Sequence, residues 1–354
     1  MATQETDSNA VLFEHDAETK DLALAKMPVQ QAKDTKWDYR YVWHIVAYLL
    51  MLYPAGLYGG YLFLVSAKWQ TNIFTCVLYV ASILGVTAGA HRLWSHRSYK
   101  AKWPLQLILM IFQTSSLQYS AINWARDHRM HHKYVDTDAD PHNATRGLFF
   151  SHVGWLMTDK HPEFERKSSA LDLQDLEANP ILRFQQKYYV ILVALICIIL
   201  PTVTPVYFWN ENWANAFFVT VWFQHVFSFN ATGFVNSALH KWGYKPYDKH
   251  MLATDMRTLS LMMLGESFHN YHHAFPWDYK TAEFGGSICN LTTIFIDFCA
   301  KIGWAYDLKT VSEEIIQKRV TRTGDGSHHL WGWGDKDLPK EEADLAIRIN
   351  PKDE

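Results

Sequence analysis

Residues 85–96 read GVTAGAHRLWSH, an apolar stretch that ends in the histidine pair His91 and His96. No charged residue occurs between Ile73 and Ala90, and a helix needs about 20 apolar residues to cross the hydrocarbon core of a membrane. Imidazoles placed directly after such a helix lie at the membrane surface. The stretch therefore predicts an integral membrane protein with a histidine site at one face of the bilayer.

Three further uncharged runs complete the pattern, and they predict four spans at about 41–67, 71–91, 188–210 and 212–239. The runs form two pairs, because only short links around Lys68 and Glu211 separate their members. This spacing is typical of two transmembrane hairpins. Pro201 and Pro205 lie near the end of the third run, where they are expected to bend or end the helix.

Lysine and arginine residues predict the orientation, since they are enriched in cytoplasmic loops. The two short links contain one lysine and no arginine, whereas basic residues flank the other ends of the first two spans. Both termini are therefore expected in the cytosol and both links in the lumen. The resulting division is a polar cytosolic segment (1–40), a membrane domain (41–325) with a cytosolic cap (92–187 and 240–325), and a polar cytosolic tail (326–354).

Residues 104–125 form a fifth uncharged run that could be mistaken for a span. Polar residues such as Gln106, Gln113 and Asn123 interrupt it. If it crossed the membrane, the histidines before and after it would face opposite sides. We expect instead a helix that is buried against the spans or lies at the interface.

Half of the 18 histidines fall into clusters with the spacing of metal ligands. HRMHH and HNYHH can each aim three imidazoles at one point, since residues three and four apart share a helix face. HRLWSH has a five-residue step, which suits two ligands if the helix ends near His91 and the chain turns. Helix parity puts all the clusters on the same side of the membrane. The candidate ligands are His91, His96, His128, His131, His132, His240, His269, His272 and His273.

Nine imidazoles exceed the coordination of one ion, so two metals are implied. The chain lacks the inward Glu and Glu-x-x-His set of carboxylate di-iron bundles. An imidazole-rich site suits iron and dioxygen chemistry, although imidazole also accepts zinc or copper. His142, His152 and His161 lie near the middle cluster and are candidates to support the ligands.

The sequence gives no sign of nucleic-acid binding and none of a bound redox cofactor other than metal. The net charge of −3 gives no footprint for nucleic acid. The chain has no GxGxxG motif for a nicotinamide or flavin and no HPGG haem-binding stretch. Electrons for an oxidative reaction must therefore come from a separate partner.

At these motifs the sequence resembles the membrane fatty acyl-CoA desaturases of the stearoyl-CoA desaturase family. The resemblance covers about residues 40–325 and includes GAHRLWSH, WARDHRMHHKY, DADPHNATRG, VNSALH and GESFHNYHHAFPWDY. The tail motifs RTGDGS and WGWGDKD are similar to those of the insect branch, and of moths in particular. The family implies an all-α membrane fold of four transmembrane helices in two hairpins, under a cytosolic helical cap that carries a di-iron site.

The resemblance also implies the chemistry and the partners. An endoplasmic reticulum enzyme would use dioxygen, two iron ions and electrons from cytochrome b5 and its reductase. It would remove two hydrogens from adjacent methylenes of an acyl-CoA chain. All nine clustered histidines would be iron ligands, and Asn236 would reach one iron through a water molecule.

Substrate residues are carried over less completely. By resemblance, Arg126, Asp127 and Lys160 would hold the CoA head group, and Gln118, Trp124 and Thr232 would line the acyl tunnel near its bend. Tyr79 and Ile83 would lie at the tunnel end. Tyr119 and Ile45 replace residues that are Asn in vertebrate members.

Two alternatives remain at this stage. A membrane di-iron hydroxylase or monooxygenase would share the ligand set, and a histidine-rich metal transporter would share the histidine content. A transporter should carry polar ligands near the bilayer midplane, whereas these clusters lie at the surface and in the cap.

Within the desaturase interpretation, two residues bear on the product. Ile83 stands where some 18-carbon enzymes have a small residue, and Gly233 replaces a large aromatic residue. Together they predict a substrate of 14 to 16 carbons and a product of the delta-11 type used in pheromone synthesis, rather than delta-9. The alternative is that neighbouring side chains fill both spaces and that the product is that of an ordinary delta-9 desaturase. The sequence does not fix the double-bond position, its geometry, the preferred chain length or the oligomeric state.

Overall fold

The computed structural model describes residues 37–283, 290–328 and 340–345. Most of the predicted tail and most of the predicted N-terminal segment lie outside these ranges. The described chain is helical, with one short antiparallel strand pair in which Lys100–Ala101 (β1) faces Ala305–Tyr306 (β2). The helices are α1 Trp43–Val65, α2 Trp69–Ser95, α3 Trp103–Ser115, α4 Ala121–Lys133, α5 Leu148–His152, α6 Pro162–Ser168, α7 Gln174–Glu177, α8 Pro180–Lys187, α9 Tyr189–Trp209, α10 at 213–236, α11 His269–Ala274, α12 Leu291–Lys301, α13 Glu313–Thr323 and α14 Lys340–Leu345.

Three helices in the described ranges are long and apolar enough to cross a membrane, namely α1, α2 and α9. Their exposed faces carry large apolar side chains, and Leu50, Leu57 and Leu64 recur every seven residues along α1 with 72%, 75% and 81% exposure. Such an exposed apolar stripe is expected of a surface that faces lipid. The fourth predicted span is also helical at 213–236, but it is not among the three.

The two short links lie against each other at one end of the helices. The Glu211 carboxylate accepts hydrogen bonds from the backbone N–H of Lys68 at 2.8 Å and from Asn215 at 3.0 Å. The Lys68 ammonium in turn donates to the carbonyls of Trp209 and Asn210. The pairing of α1 with α2 and of α9 with α10, predicted from the short links, therefore gives two hairpins whose tips are joined.

Small residues let the long helices approach closely. A Cβ atom on Gly59 of α1 would lie 2.1 Å from the Phe218 carbonyl of α10, and one on Gly85 of α2 would lie 2.1 Å from the Gln113 nitrogen of α3. Both contacts are with backbone, which cannot yield as a side chain can. These two positions fix α10 against α1 and α3 against α2.

The fifth uncharged run does not form a continuous spanning helix. It forms α3 and the start of α4, separated by a break in which Leu117 and Tyr119 have φ near +53° and +64°. A helix of 13 residues is only about 20 Å long. Leu105, Leu109 and Met110 of α3 are buried in the main apolar core, as expected for a helix packed on the spans.

Pro201 and Pro205 do not end the helix that the third uncharged run forms. The helix α9 continues through Pro201 and Pro205 to Trp209, and it stops at Asn210, which has a left-handed conformation with φ 53°. A π-helical segment, Ala194–Ile199, precedes Pro201. Local widening of this kind is a common way for a helix to accommodate a disruption of its hydrogen bonds.

Candidate metal centre

The end of α2 brings the first histidine pair together without a turn, contrary to the expectation that the helix ends near His91. The helix continues to Ser95 as a π-helix from Gly85 onward. The His96 N–H donates to the His91 carbonyl at 3.1 Å, five residues back. The wider winding places the two rings with their centroids 4.8 Å apart, so a five-residue step does share a face here.

The second cluster lies on α4, whose start is capped by Ser120 accepting from the Asn123 N–H. His128, His131 and His132 occupy the last turns of this helix. Trp124 stacks on the His128 ring at 4.9 Å and 23°. An aromatic ring thus lies beside the cluster. The three rings of HRMHH do not converge on one point as predicted, because His128 and His132 belong to one group of ligand nitrogens and His131 to another.

The third cluster lies on α11, a six-residue helix that depends on its surroundings. Asp255 accepts hydrogen bonds from the N–H groups of Asn270 at 2.7 Å and Tyr271 at 3.2 Å. The Asn270 amide bonds to the backbone of Tyr247, Asp248 and Ala253. A helix this short is not stable alone, so these buried bonds hold its histidines in place.

The structure brings all nine predicted histidines together, and it divides them into two groups that could each hold a metal ion. Within a group, the ligand nitrogens all lie within 4.8 Å of one another. The first group is His91, His96, His128, His132 and His272; the second is His131, His240, His269 and His273.

The facing nitrogens fit metal coordination. Nε2–Nε2 distances are 2.8 Å for His96–His128 and 3.0 Å for His91–His272 in the first group. They are 3.0 Å for His240–His269 in the second. Metal–imidazole bonds are about 2.1 Å long, so two imidazole nitrogens at right angles around one ion lie about 3.0 Å apart.

Burial keeps most of these rings neutral, which is the form that binds metal. It lowers the pKa of five ligand candidates outside the spans well below the usual range, and like charges nearby act in the same direction. These five are His128, His132, His269, His272 and His273.

Two buried carboxylates hold the far nitrogens of the rings, and sequence reasoning assigned neither. Glu266 lies 2.8 Å from Nδ1 of His91, and Asp140 lies 2.8 Å from Nδ1 of His131. A carboxylate there fixes the tautomer with Nε2 free for a metal. The motifs GES and DAD could have indicated these roles, because each places an acidic residue close in sequence to a histidine cluster.

Electrostatics favour the charged form of both acids. Burial alone would raise the pKa of Glu266, but Arg92 and His91 outweigh it and lower the pKa to about 2. Burial also opposes ionisation of Asp140, yet His131 and His142 lower its pKa below the usual range. Arg92 is fully buried and donates to Glu266 through Nε and Nη2 at 3.1 and 2.8 Å.

The three candidate supporting histidines have different roles. His142 forms a third buried group with His131 and Asp140, so it lies beside the second ligand group. His152 is hydrogen-bonded to Ser237 at 2.9 Å and to Asn230 at 3.0 Å, and it thereby holds the end of α10. His161 caps α6 by accepting from the Glu163 N–H.

Two cavities adjoin the histidines and meet at Trp124, His128, Thr232 and Asn236. The larger, with a volume of about 140 Å³, extends past Asp127 and His142 to Tyr48 and His225. The smaller, of about 50 Å³, runs from His91 and His269 to Ile83. Asn236, the last residue of α10, is four positions before His240 and lines both cavities.

Residues predicted to contact substrate form two bonded sets on these cavities. Gln118 donates to the Thr232 hydroxyl at 2.9 Å and accepts from the Trp124 indole at 3.4 Å, all at the junction. In the lining of the larger cavity, Asp127 accepts from Arg126 at 2.8 Å and from Lys160 at 2.9 Å. Burial opposes ionisation of Asp127, but these cations lower its pKa.

At the other end, Ile83 is buried and lines the smaller cavity. Tyr79 packs beside it and its hydroxyl donates to the Met262 carbonyl. Gly233 lines the larger cavity, but the His152 ring occupies the position next to it, since a Cβ atom there would lie 2.9 Å from that ring. A side chain at Gly233 would therefore meet His152 before it could reshape the acyl path.

Membrane-length helices and two buried histidine groups beside cavities are the features of a membrane metalloprotein. The fatty acid desaturase family model matches residues 67–282. The acyl-CoA Delta-9 desaturase of Acheta domesticus is 54% identical, with 95% of each chain covered. The acyl-CoA Delta(11) desaturase of Trichoplusia ni is 50% identical over 96% of each. The stearoyl-CoA desaturase of Homo sapiens is 49% identical over 81% of this chain and 80% of its own.

The chain belongs to the fatty acid desaturase family, and it is an oxidoreductase. The resemblance predicted from the histidine motifs is thereby confirmed, as is its insect character. The Delta-9 and Delta(11) relatives, at 54% and 50% identity, differ by only four percentage points in their identity to this chain. Overall similarity therefore does not select a double-bond position.

Proposed function

We propose that this protein is an acyl-CoA desaturase of the endoplasmic reticulum membrane in which the nine histidines hold two iron ions. The observation that carries the proposal is the pair of histidine groups with facing nitrogens 2.8–3.3 Å apart, next to cavities that reach from the surface into the helices. The first group supplies five imidazoles and the second four. Asn236, which lines the cavity beside His269, would reach the second ion through a water molecule.

Iron, when bound, supplies the reduction of dioxygen with two electrons and two protons, as two hydrogens leave adjacent methylenes and two waters form. The protein contributes position and exclusion of water. Glu266 and Asp140 orient His91 and His131, and Trp124 and Thr232 hold the chain at the junction of the cavities. Positioning of this kind decides which methylenes react.

The substrate enters from the side of Asp127. Arg126 and Lys160 present positive charge to the phosphates of CoA, and Asp127 holds both cations in place. The acyl chain then follows the larger cavity to the Gln118–Thr232 bond, and its methyl end lies towards Ile83. An apolar chain suits these walls because most of the lining is apolar or aromatic.

The helix α10 would be the fourth span, paired with α9 and buried against α1. Both termini would be cytosolic, with the joined links in the lumen and residues 92–187 and 240–325 as the cap. Support comes from the joined hairpin tips around Glu211, since the histidines occupy the opposite helix ends.

Electrons would come from cytochrome b5. Lys133 and Lys241 are exposed, and each directly follows a ligand histidine. An acidic carrier docked on these lysines would stand close to both histidine groups, and complementary charge mainly raises the rate of encounter. Lys133→Glu and Lys241→Glu together should lower turnover with cytochrome b5 at low salt, while iron content stays unchanged.

The decisive experiment is expression in desaturase-deficient yeast with gas chromatography of the fatty acids. The wild-type chain should restore unsaturated products. Changing any of the nine histidines to Ala should abolish them and lower the iron content of the purified protein. His250→Ala is the matched control, because His250 is exposed and lies outside both groups. If two of the nine variants kept two irons and full activity, the ligand assignment would be wrong.

The product is proposed to be a delta-11-type monoene from a chain of 14 to 16 carbons. Ile83 shortens the smaller cavity, and the Tyr79–Met262 hydrogen bond fixes the wall behind it. A packed wall of this kind yields little to extra methylenes. The same chromatograms give chain length and bond position directly.

A further inference from the structure

The larger cavity has a polar recess on the side away from the histidine groups. His225 of α10 and Tyr48 of α1 line it, together with apolar residues such as Leu49 and Phe229. The Tyr48 and His225 rings are 6.2 Å apart. Seven residues of helix, about 10 Å, separate His225 from Thr232 at the cavity junction.

Three polar atoms of this recess have no hydrogen-bond partner among the described residues. They are Nδ1 and Nε2 of His225 and the hydroxyl oxygen of Tyr48. The His225 side chain is 95% buried, since the residue is 5% exposed. The Ser116 backbone lies nearby but outside hydrogen-bond geometry.

An unsubstituted acyl chain leaves the polar atoms of His225 and Tyr48 without hydrogen-bond partners. It carries no donor or acceptor between the thioester and the methyl end, and it excludes water from the walls it touches. Buried polar groups without partners are unfavourable, and most are paired in folded proteins. Leucine and phenylalanine at these two positions would suit such a chain better than histidine and tyrosine.

We infer that the recess is a subsite for an oxygen substituent, a hydroxyl or keto group carried by the acyl chain on the carboxyl side of the reacting carbons. A hydroxyl can donate to one ring nitrogen of neutral His225 and accept from Tyr48, and a keto oxygen can accept from either residue. This inference rests on the proposed function, because it places the acyl chain in the larger cavity.

The test compares hexadecanoyl-CoA with a positional series of monohydroxyhexadecanoyl-CoA thioesters, from the 3- to the 8-hydroxy compound, in microsomes from yeast expressing the chain. The readout is the ratio of KM for each hydroxy substrate to KM for the unsubstituted one, with products identified by mass spectrometry. The KM of at least one isomer should be about five- to tenfold lower than that of hexadecanoyl-CoA. This is the gain expected when the buried polar atoms of His225 and Tyr48 receive hydrogen-bond partners.

Variants then separate this subsite from general effects. His225→Leu and Tyr48→Phe should each remove most of the advantage of the preferred isomer, and His225→Leu should lower KM for hexadecanoyl-CoA. His44→Leu is the matched control, because His44 is exposed on α1 and does not line the cavity. It should leave the ratio unchanged.

Failure of the inference is distinguishable from failure of the proposed function. If hexadecanoyl-CoA is desaturated but no hydroxy isomer is preferred, or if the preference survives both His225→Leu and Tyr48→Phe, the subsite is refuted while the desaturase assignment stands. If hexadecanoyl-CoA and the other saturated thioesters are not desaturated at all, the proposed function itself fails.

Discussion

Nδ1 of His91 lies 2.8 Å from Oε2 of Glu266, and the other oxygen of that carboxylate receives the buried Arg92 guanidinium. One acid thus orients a candidate ligand and neutralises a cation that has no access to water. The arrangement connects ligand geometry with the stability of the fold, because Arg92 also bonds to the Tyr279 carbonyl and the Thr293 hydroxyl near the start of α12.

Glu266→Gln should therefore reduce both iron content and stability. The amide keeps the size of the side chain but leaves the Arg92 charge without its counter-ion, which typically costs about 3–5 kcal/mol for a buried pair. The measurements are iron by mass spectrometry and thermal unfolding in detergent. Wild-type values for both would contradict the assigned role.

The double variant Arg92→Met/Glu266→Met is the control for charge burial. Removing both charges should restore much of the stability, since buried ion pairs often exchange for apolar residues without loss. Activity should remain low, because His91 would still lack its orienting carboxylate.

Asn236→Leu should lower desaturation at least tenfold and leave the fold largely intact. Asn236 lines both cavities and stands four positions before His240, and leucine has a similar size without an amide to bind water. Yeast fatty-acid profiles and the thermal unfolding midpoint give the two readouts. Unchanged turnover would make Asn236 a packing residue.

Asp255 predicts a pH dependence of stability. Burial raises the pKa of Asp255 to about 7, even though the backbone N–H groups of Tyr271 and Asn270 oppose the shift. A folded-state pKa above the unfolded value near 3.8 means that the folded state holds this proton more tightly. The contribution to stability is present below about pH 4 and is lost as pH rises towards 7.

Asp255→Asn should flatten that dependence between pH 5 and 7.5. The amide oxygen can still accept from the two N–H groups that hold α11, but it does not titrate. The wild type should lose roughly 2–4 kcal/mol more than the variant over this range. Thermal unfolding at a series of pH values tests this, and parallel curves for the two proteins would contradict it.

Topology needs a test other than glycosylation. The sequons at Asn143 and Asn290 should carry no glycan, but both asparagines are fully buried and cap helical turns, so burial alone explains that result. Protease protection of terminal tags in sealed microsomes is informative instead. Both tags should be digested without detergent, and protection of either would reverse the proposed orientation of that end.

The hairpins and the histidine spacing could be predicted from sequence because both depend on local patterns. The π-helix that brings His91 and His96 together could not, since nothing in HRLWSH distinguishes a wide helix from a turn. Glu266 and Asp140 were missed for a different reason. The role of Glu266 depends on a contact with His91 across 175 residues, and that of Asp140 on a loop that folds back onto His131, nine residues earlier. An acid beside a histidine motif is therefore only a weak signal.

Ile83 is expected to limit the length of the acyl chain that the enzyme accepts. Ile83→Ala should extend the smaller cavity by roughly three methylenes and shift the preference from 14–16 towards 18 carbons. The residue is 3% exposed and lines the cavity end, so the new space opens on the acyl path. Leu49→Ala is the matched control, since it removes a similar volume from the larger cavity away from that end.

Gly233→Trp, in contrast, is expected to disrupt the protein rather than to move the double bond. The new side chain would collide with the His152 ring, which holds Asn230 and Ser237 on α10. Only a paired His152→Ala/Gly233→Trp variant makes room for the indole. Competition between tetradecanoyl-, hexadecanoyl- and octadecanoyl-CoA in microsomes measures the preferred acyl-chain length. The four variants to compare with the wild type are Ile83→Ala, Leu49→Ala, Gly233→Trp and His152→Ala/Gly233→Trp. A wild type that strictly prefers octadecanoyl-CoA, with Ile83→Ala unchanged, would show that Ile83 does not limit the chain.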